Sequence, residues 1–213
     1  MLFRSLQTHI SSLRRTLGDG FILTEGAGWA AAGIEVDALR YKAAARMGRE
    51  AAAAGDTSQA VARFEEAMAL WRGIPELPDS RRGSSEKTRW TEAHAALVED
   101  RADALLVTGR AAEIIGELEA AVTDAPLRER RWGQLMLALY RAGRQGEALG
   151  AYQRARTLLA DELGVDPGPE LRRLEAAIVA QDAALEIPVA QQVSSVTRAV
   201  TFLLTDIEGS TAA

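Results

Sequence analysis

The stretch Gly143-Arg144-Gln145-Gly146-Glu147-Ala148-Leu149 matches two earlier ones, Gly55-Asp56-Thr57-Ser58-Gln59-Ala60-Val61 and Gly109-Arg110-Ala111-Ala112-Glu113-Ile114-Ile115. Within each stretch and the sequence that follows it, similar residues recur at fixed distances from the first glycine. The residues five positions on are Ala60, Ile114 and Ala148, those nine positions on are Phe64, Leu118 and Tyr152, and those twelve positions on are Ala67, Ala121 and Ala155. This regularity predicts a structural repeat.

The spacing of the glycines indicates which repeat it is. Gly109 and Gly143 are 34 residues apart, which is the period of the tetratricopeptide repeat. A glycine permits the tight turn between two antiparallel helices, alanines let the helices approach closely, and large residues fill the gaps between them. Gly55 and Gly109 are 54 residues apart, so the polar segment 75–85 is predicted to be an inserted loop.

The predicted fold class is therefore all-α, a tetratricopeptide-like helical repeat solenoid. Its helices are predicted at residues 36–54, 88–108 and 128–142, each before one of the glycines. A proline closes each unit, at Pro75, Pro126 and Pro167. Residues 163–169 are predicted to stop the last repeat, and residues 170–184 to form a polar-faced capping helix.

Several prominent residues in this region are interpreted as structural. Trp71, Trp90 and Trp132 fall at helical positions and are expected to pack between helices rather than to form a ligand cage. His94 is expected to be a surface or hydrogen-bonded residue. The charged run at 128–131 is interpreted as the first turn of a helix.

The composition argues against several kinds of site. The chain has no cysteine, and its two histidines are far apart, so disulfides, thiolate metal sites and a histidine-based zinc site are not expected. No catalytic triad, phosphate loop or carboxylate pair stands out, so we expect neither an enzyme nor a cofactor. No stretch reaches the ~18 apolar residues of a membrane span, so we expect a cytoplasmic protein that makes no membrane contact.

The first 32 residues differ from the repeats. Leu6, Ile10, Leu13 and Leu17 share one face of a helix predicted over residues 5–17. A β-hairpin is predicted next, because residues 21–24 and 29–31 are strand-like and enclose a Gly-Ala-Gly turn. The other helix face carries polar residues of the types that contact bases and phosphates in a major groove. These candidate DNA-binding residues are Arg4, Thr8, Ser11, Ser12, Arg14 and Arg15.

The last segment, residues 185–213, is predicted to be a linker followed by a strand at residues 199–204. Asp206 comes two residues after the end of this strand and is the one candidate metal ligand. A single aspartate cannot hold the two ions of a two-metal catalytic site.

These three segments each resemble part of a known family. Residues 6–18, Ile22-Leu23-Thr24 and Gly28-Trp29 resemble the recognition helix and wing of a response-regulator-type winged helix. Trp71-Arg72-Gly73 and the stretches 139–149 and 163–171 resemble the bacterial transcriptional activator domain of actinomycete antibiotic-pathway regulators. The segment 200–211 looks like the first strand of a class III adenylate/guanylate cyclase domain, in which the residue matching Asp206 binds Mg²⁺.

The resemblances imply three domains: a partial winged helix at 1–32, an activator domain at 33–184, and a linker with the first cyclase strand at 185–213. Both flanking segments are expected to be truncated. The leading hypothesis is a transcriptional regulator that binds DNA through the helix and wing, while its repeats contact RNA polymerase, another protein or a second protomer. The alternatives are an inactive fragment of a cyclase-coupled signalling protein and a pure protein-interaction module.

Overall fold

The fold was analysed in a computed structural model, and its description covers residues 2–32 and 36–186, with the side chains of residues 2–5 left aside. The described residues are predominantly helical, which confirms the predicted fold class. The predicted strand at 199–204 and Asp206 lie outside them. The helices are α1 (Leu2–Leu17), α2 (Asp37–Ala53), α3 (Thr57–Leu70), α4 (Arg81–Val107), α5 (Ala111–Asp124), α6 (Glu129–Arg141), α7 (Gln145–Leu163) and α8 (Pro169–Ala180).

The chain divides into two compact units, residues 1–98 and 99–213, and the division falls within α4. The first unit contains α1, a two-stranded hairpin, α2, α3 and the first part of α4. The second contains the end of α4 and α5 to α8, followed by a 3₁₀ turn at Ala183–Leu185.

The three repeat glycines end α2, α4 and α6 in the same way. Gly55, Gly109 and Gly143 have φ of +79°, +81° and +75°. Each glycine N–H donates to the carbonyl three residues before it, and the N–H after it donates to the carbonyl five residues before itself. This is the Schellman motif, which satisfies the last carbonyls of a helix and needs a left-handed residue. The three glycines that mark the predicted repeat thus all end a helix with the same motif.

The positions counted from these glycines lie in the core, as the spacing predicts. Phe64, Leu118 and Tyr152 are buried, and so are the residues five and twelve positions from each glycine. The ring of Phe64 in α3 reaches the backbone of α2 at Gly48, where an added Cβ would lie 2.5 Å from the ring. Any residue other than glycine at position 48 would therefore clash with the ring of Phe64.

In the second unit, α6 lies between α5 and α7, and it supplies much of the core. Leu135, Met136 and Leu139 are completely or almost completely buried. The side chain of Trp132 is also buried, and its Nε1 donates to the carbonyl of Pro126 at 2.8 Å. The expectation that Trp132 is a packing residue is confirmed.

Helix α8 is hydrogen-bonded to a neighbouring helix at each of its ends. At its start, the Glu129 carboxylate on α6 accepts a hydrogen bond of 2.6 Å from the backbone N–H of Gly168. At its end, the Gln145 side chain on α7 donates to the carbonyl of Ile178 at 3.0 Å. The capping helix predicted after residue 169 is therefore present and tied to both neighbouring helices.

The prediction that residues 75–85 form a loop is wrong at its end, because α4 begins at Arg81 rather than at residue 88. The hydroxyl oxygen of Ser80 accepts the backbone N–H of Gly83 at 3.0 Å, which caps the first turn. Gly83 is needed in this turn, since a Cβ there would lie 2.0 Å from the carbonyl oxygen of Pro78. The glycine and serine residues that suggest a loop in the sequence thus belong to the capped start of a helix.

The predicted end of the capping helix is also wrong, because α8 ends at Ala180 and not at residue 184. Gln181 has φ +52° and is the only non-glycine residue with a positive φ among those described. It ends α8 with the same pair of hydrogen bonds as the repeat glycines. The Asp182 carboxylate then accepts the N–H of Ala184 and begins the 3₁₀ turn.

The predicted N-terminal helix and hairpin are both present. Helix α1 is followed by β1 (Ile22–Glu25) and β2 (Gly28–Ala31), which pair antiparallel with Glu25 opposite Gly28. The two-residue loop between them starts at Gly26, with φ +57°. A positive φ at the first loop residue is typical of type II′ turns, whose twist suits a hairpin.

The left-handed requirement at the repeat turns can be tested by one substitution at two glycines. Neither Gly143 (φ +75°) nor Gly150 within α7 would bring an added Cβ within 4 Å of another group. Gly143→Ala should lower the free energy of unfolding by about 1–2 kcal/mol, because an L-residue is strained there. Gly150→Ala should raise it by about 1 kcal/mol through helix propensity. Urea denaturation of the whole chain measures both, and equal shifts for the two variants would contradict the assignment.

Candidate functional site

The polar face of α1 is largely open to solvent. Thr8, Ser11, Ser12 and Arg15 are exposed, so the structure brings four of the six candidate DNA-binding residues together on an accessible helix. Arg4 lies in α1, in the part whose side chains are left aside. The geometry therefore leaves a helix face of the predicted composition available for contact with a partner.

Arg14, the sixth candidate, has structural contacts that the sequence did not indicate. Its Nε donates to the carbonyl of Ile22 and its Nη2 to the hydroxyl of Thr24, both at 2.8 Å. These bonds join the last turn of α1 to β1 and set where the hairpin lies beside the helix. Arg14 is only half-buried, so part of its side chain remains accessible to solvent.

The apolar face of α1 is also open. Leu6, Leu13 and Leu17 are each 45–47% exposed, and Phe21 and Leu23 next to them are exposed to a similar degree. The face that the leucine spacing predicts therefore exists, but the described residues do not bury it.

A second notable site is a buried ion-pair network in the second unit. Glu99 in α4 is only 3% exposed, and its carboxylate meets the guanidinium groups of three arginines. The distances from the Glu99 carboxylate are 2.6 Å to Arg128 and 3.3 Å to both Arg130 and Arg131. A single buried carboxylate is thus matched by several hydrogen-bonded cations, as buried charges require.

The network extends beyond Glu99. Arg130 also contacts Asp100 at 2.8 Å and Asp103 at 2.6 Å, and Arg131 donates to the backbone carbonyl of Ala121 at 2.8 Å. It therefore connects α4, α5 and the start of α6. The interpretation of residues 128–131 as an ordinary charged first turn missed this, because the partners are 27 to 32 residues away in sequence.

The electrostatics of Glu99 follow from two opposing effects. Desolvation by burial raises the pKa of its carboxyl group, whereas the hydrogen bond from Arg128 and the charges of Arg128, Arg130 and Arg131 lower it. The lowering effects dominate, so the pKa lies below its ordinary value near 4.5. Glu99 is therefore a carboxylate at neutral pH and stabilises the fold in that form.

The first unit contains an aromatic cluster, formed by Tyr41, Trp71, Trp90 and His94. The imidazole of His94 stacks on Trp71 with 4.0 Å between ring centroids, and the ring centroid of Tyr41 lies 5.5 Å from that of Trp71 and 5.6 Å from that of Trp90. Burial raises the pKa of Tyr41 to about 12, although Arg49 opposes this. Trp71 and Trp90 thus pack with other side chains as expected, beside a cavity of about 360 Å³. The stacking of His94 on Trp71 was not predicted.

No helix in the described residues is both long enough and apolar enough to cross a membrane. Likewise, residues 2–32 and 36–186 contain no group of three or more acidic or histidine side chains placed to hold a metal ion. Asp206, the candidate metal ligand, lies outside these ranges.

Paired helices joined by left-handed glycine turns define a helical-repeat protein. The chain belongs to the bacterial transcriptional activator domain family, whose model matches residues 36–179. The matched region contains all three repeat glycines and the Glu99 network.

The chain is similar to several named regulators. The regulatory protein AfsR of Streptomyces coelicolor is 40% identical over 186 residues, which are 85% of this chain and 19% of that protein. The transcriptional regulatory protein EmbR of Mycobacterium tuberculosis is 39% identical over 193 residues, 83% of this chain and 48% of that protein. The transcriptional regulator RedD of S. coelicolor is 37% identical over 202 residues, 89% of this chain and 57% of that protein.

A solved structure shows the same fold. M. tuberculosis EmbR in complex with a low-affinity phosphopeptide has a TM-score of 0.73 and 34% sequence identity to this chain, and the match covers 90% of this chain and 53% of that one. The chain therefore spans from about a fifth to little more than half of the length of these relatives.

The importance of the buried carboxylate can be tested by substitution. Glu99→Gln should lower the free energy of unfolding by about 3–5 kcal/mol, because it leaves the buried Arg131 and the partly exposed Arg128 and Arg130 without their shared anion. Glu117→Gln is the matched control. Glu117 is 62% exposed and pairs with Arg101 at 2.7 Å, so its loss should cost about 0–1 kcal/mol. Chemical denaturation at pH 7 compares the two, and equal small effects would contradict the assigned role.

The stability difference between the wild type and Glu99→Gln should also depend on pH. Because the pKa of Glu99 is lowered in the folded state, its stabilisation is complete above the ordinary carboxyl pKa and is lost as the pH falls through the lower folded value. The stability difference between the wild type and Glu99→Gln should therefore shrink below about pH 4. A difference that is unchanged down to acid denaturation would contradict the ionised state of Glu99.

Proposed function

We propose that this protein is a transcriptional regulator that binds DNA through α1 and the β1–β2 hairpin. The observation that carries the proposal is the exposed polar face of α1 beside a hairpin fixed by Arg14, in a chain of this family. All the relatives reported above are named as regulators, which supports a regulatory rather than a catalytic function. On this proposal, residues 1–32 act as the DNA-contacting part.

The geometry of α1 suits a major groove. An α-helix fits the groove by its width, and Ser, Thr and Arg side chains can contact base edges and phosphates. Thr8, Ser11, Ser12 and Arg15 are exposed on one helix, with Arg14 at its flank and Arg4 one turn before Thr8. The hairpin that Arg14 holds would then contact the neighbouring backbone or minor groove as a wing.

The repeats, residues 33–184 in the proposed domain arrangement, would contact RNA polymerase, another protein or a second protomer. A scaffold of paired helices presents a continuous surface for such contacts. The phosphopeptide complex of EmbR supports peptide binding as a property of a related protein. We further propose that residues 185–213 are a linker and the first strand of a cyclase-like domain.

The DNA-binding proposal predicts a specific effect of Arg15→Ala. If Arg15 contacts a base edge, the substitution should weaken binding to the promoter duplex about 5- to 150-fold, corresponding to about 1–3 kcal/mol. If it contacts a phosphate, affinity should fall on all duplexes, and the salt dependence should decrease by about one counterion. Fluorescence anisotropy with a labelled duplex from the promoter next to the gene, at several salt concentrations, separates the two.

The matched control is Arg173→Ala on α8, another exposed arginine, whose partner is Glu170 at 2.7 Å. It changes the net charge equally and should leave affinity unchanged. Promoter binding no tighter than to a random duplex, or equal affinities for the wild type and Arg15→Ala, would rule out the proposed interface.

A further inference from the structure

Residues 181–186 follow α8 in the second unit and form a short strap. The strap begins at the left-handed residue Gln181, contains the 3₁₀ turn Ala183–Leu185 and ends at Glu186. Leu185 is half-buried, and all the other strap residues are exposed. Burial of side chains therefore does little to hold the strap against the repeats.

One guanidinium joins the strap to two helices. Arg141, the last residue of α6, donates from Nε to the carbonyl of Leu185 at 2.7 Å and from Nη1 to the carbonyl of Leu106 at 2.8 Å. Leu106 lies in the last turn of α4, and its carbonyl also accepts the N–H of the repeat glycine Gly109. The strap, the end of α6 and the repeat turn at Gly109 thus meet at Arg141.

The surroundings of Arg141 favour the closed strap. Desolvation by burial lowers the pKa of this half-buried guanidinium from its ordinary value. Within the described residues its hydrogen bonds go to the two backbone carbonyls and not to a carboxylate. The carbonyl end of a helix carries partial negative charge, so α4 and α6 both stabilise a cation here. Removal of the Leu185 carbonyl would leave a partly buried donor unsatisfied, which is unfavourable.

The backbone at the start of the strap opposes closure. Gln181 has φ +52° and ψ +47° and is the only non-glycine residue with a positive φ among those described. A residue with a side chain is strained in this conformation, and strain of this kind is concentrated at functional and switch regions. The bond of 3.2 Å from the Gln181 side chain to that of Gln145 is exposed and compensates little. The strap thus has strain at its start and hydrogen bonds from a cation near its end.

We propose that residues 181–186 are a two-state strap, which the guanidinium of Arg141 holds closed on the ends of α4 and α6. In the closed state the chain leaves the repeats at a fixed place beside the repeat turn at Gly109. In the open state the strain at Gln181 is relieved, and Leu185 loses its bond to Arg141. Arg141 is thus a positioning residue for the point at which the chain leaves the repeats. The inference does not depend on DNA contact by α1.

The chain has no cysteine, so two introduced cysteines can be spin-labelled selectively. Ala112→Cys places one label on the exposed side of α5, and Glu186→Cys places the other at the end of the strap. Double electron–electron resonance on the whole chain measures the distribution of distances between them. We expect one narrow distribution in the labelled parent. Arg141→Gln should broaden it at least twofold, because one amide nitrogen replaces the two nitrogens that hold the carbonyls. Adding Gln181→Asn should narrow it again, since asparagine tolerates the left-handed region better.

Arg173→Gln on α8 is the matched control, because this arginine is exposed and its loss should leave the distribution unchanged. A broad distribution in the labelled parent, or the same narrow one in the parent and in Arg141→Gln, would overturn the inference. Thermal unfolding is followed on the same samples, since a half-buried arginine also stabilises the fold. If Arg141→Gln does not fold, Asp182→Ala decides. It removes only the exposed bond that begins the 3₁₀ turn, and we expect a broader distribution, whereas an unchanged one would overturn the inference.

Discussion

The described fold depends on one backbone constraint, the left-handed residue that ends a helix and lets the chain turn back. Gly55, Gly109 and Gly143 meet it with positive φ and with the same two hydrogen bonds. Because a helix cannot continue through such a residue, the next helix begins two residues later and lies antiparallel to the first. The residues counted from each glycine then face the core in all three cases.

Close packing and buried ion pairs stabilise the helices that these turns connect. In the first unit, the contact of Phe64 with Gly48 sets how closely α2 and α3 approach. In the second unit, Glu99 joins α4 to the three arginines at the start of α6. A buried network of this kind gives little net stability over apolar packing, but removal of one partner is costly.

The sequence predicted those features that depend on local pattern. Glycine spacing located the turns, and strand-like residues on either side of a Gly-Ala-Gly turn located the hairpin. Two features were not predicted, one that depends on a local helix cap and one that depends on residues distant in the chain. The residues around Ser80 look like a loop in the sequence, but Ser80 caps the start of a helix. The arginines at 128–131 look like part of a solvated helix turn, but they form ion pairs with the buried Glu99. At the candidate DNA interface, the polar face of α1 was predictable, whereas the bonds from Arg14 to the hairpin were not, because they depend on how β1 folds back.

The proposed function assigns DNA contact to α1 and the hairpin and assigns a different role to the repeats. Hydrogen–deuterium exchange of the whole chain, with and without promoter duplex, tests this division most directly. The account predicts strong protection of α2 to α8 in both states, including the amides after the repeat glycines, and new protection on DNA binding confined to α1 and the hairpin. Unprotected repeat turns, or DNA-induced protection that appears in α7 and α8 and not in α1, would contradict it.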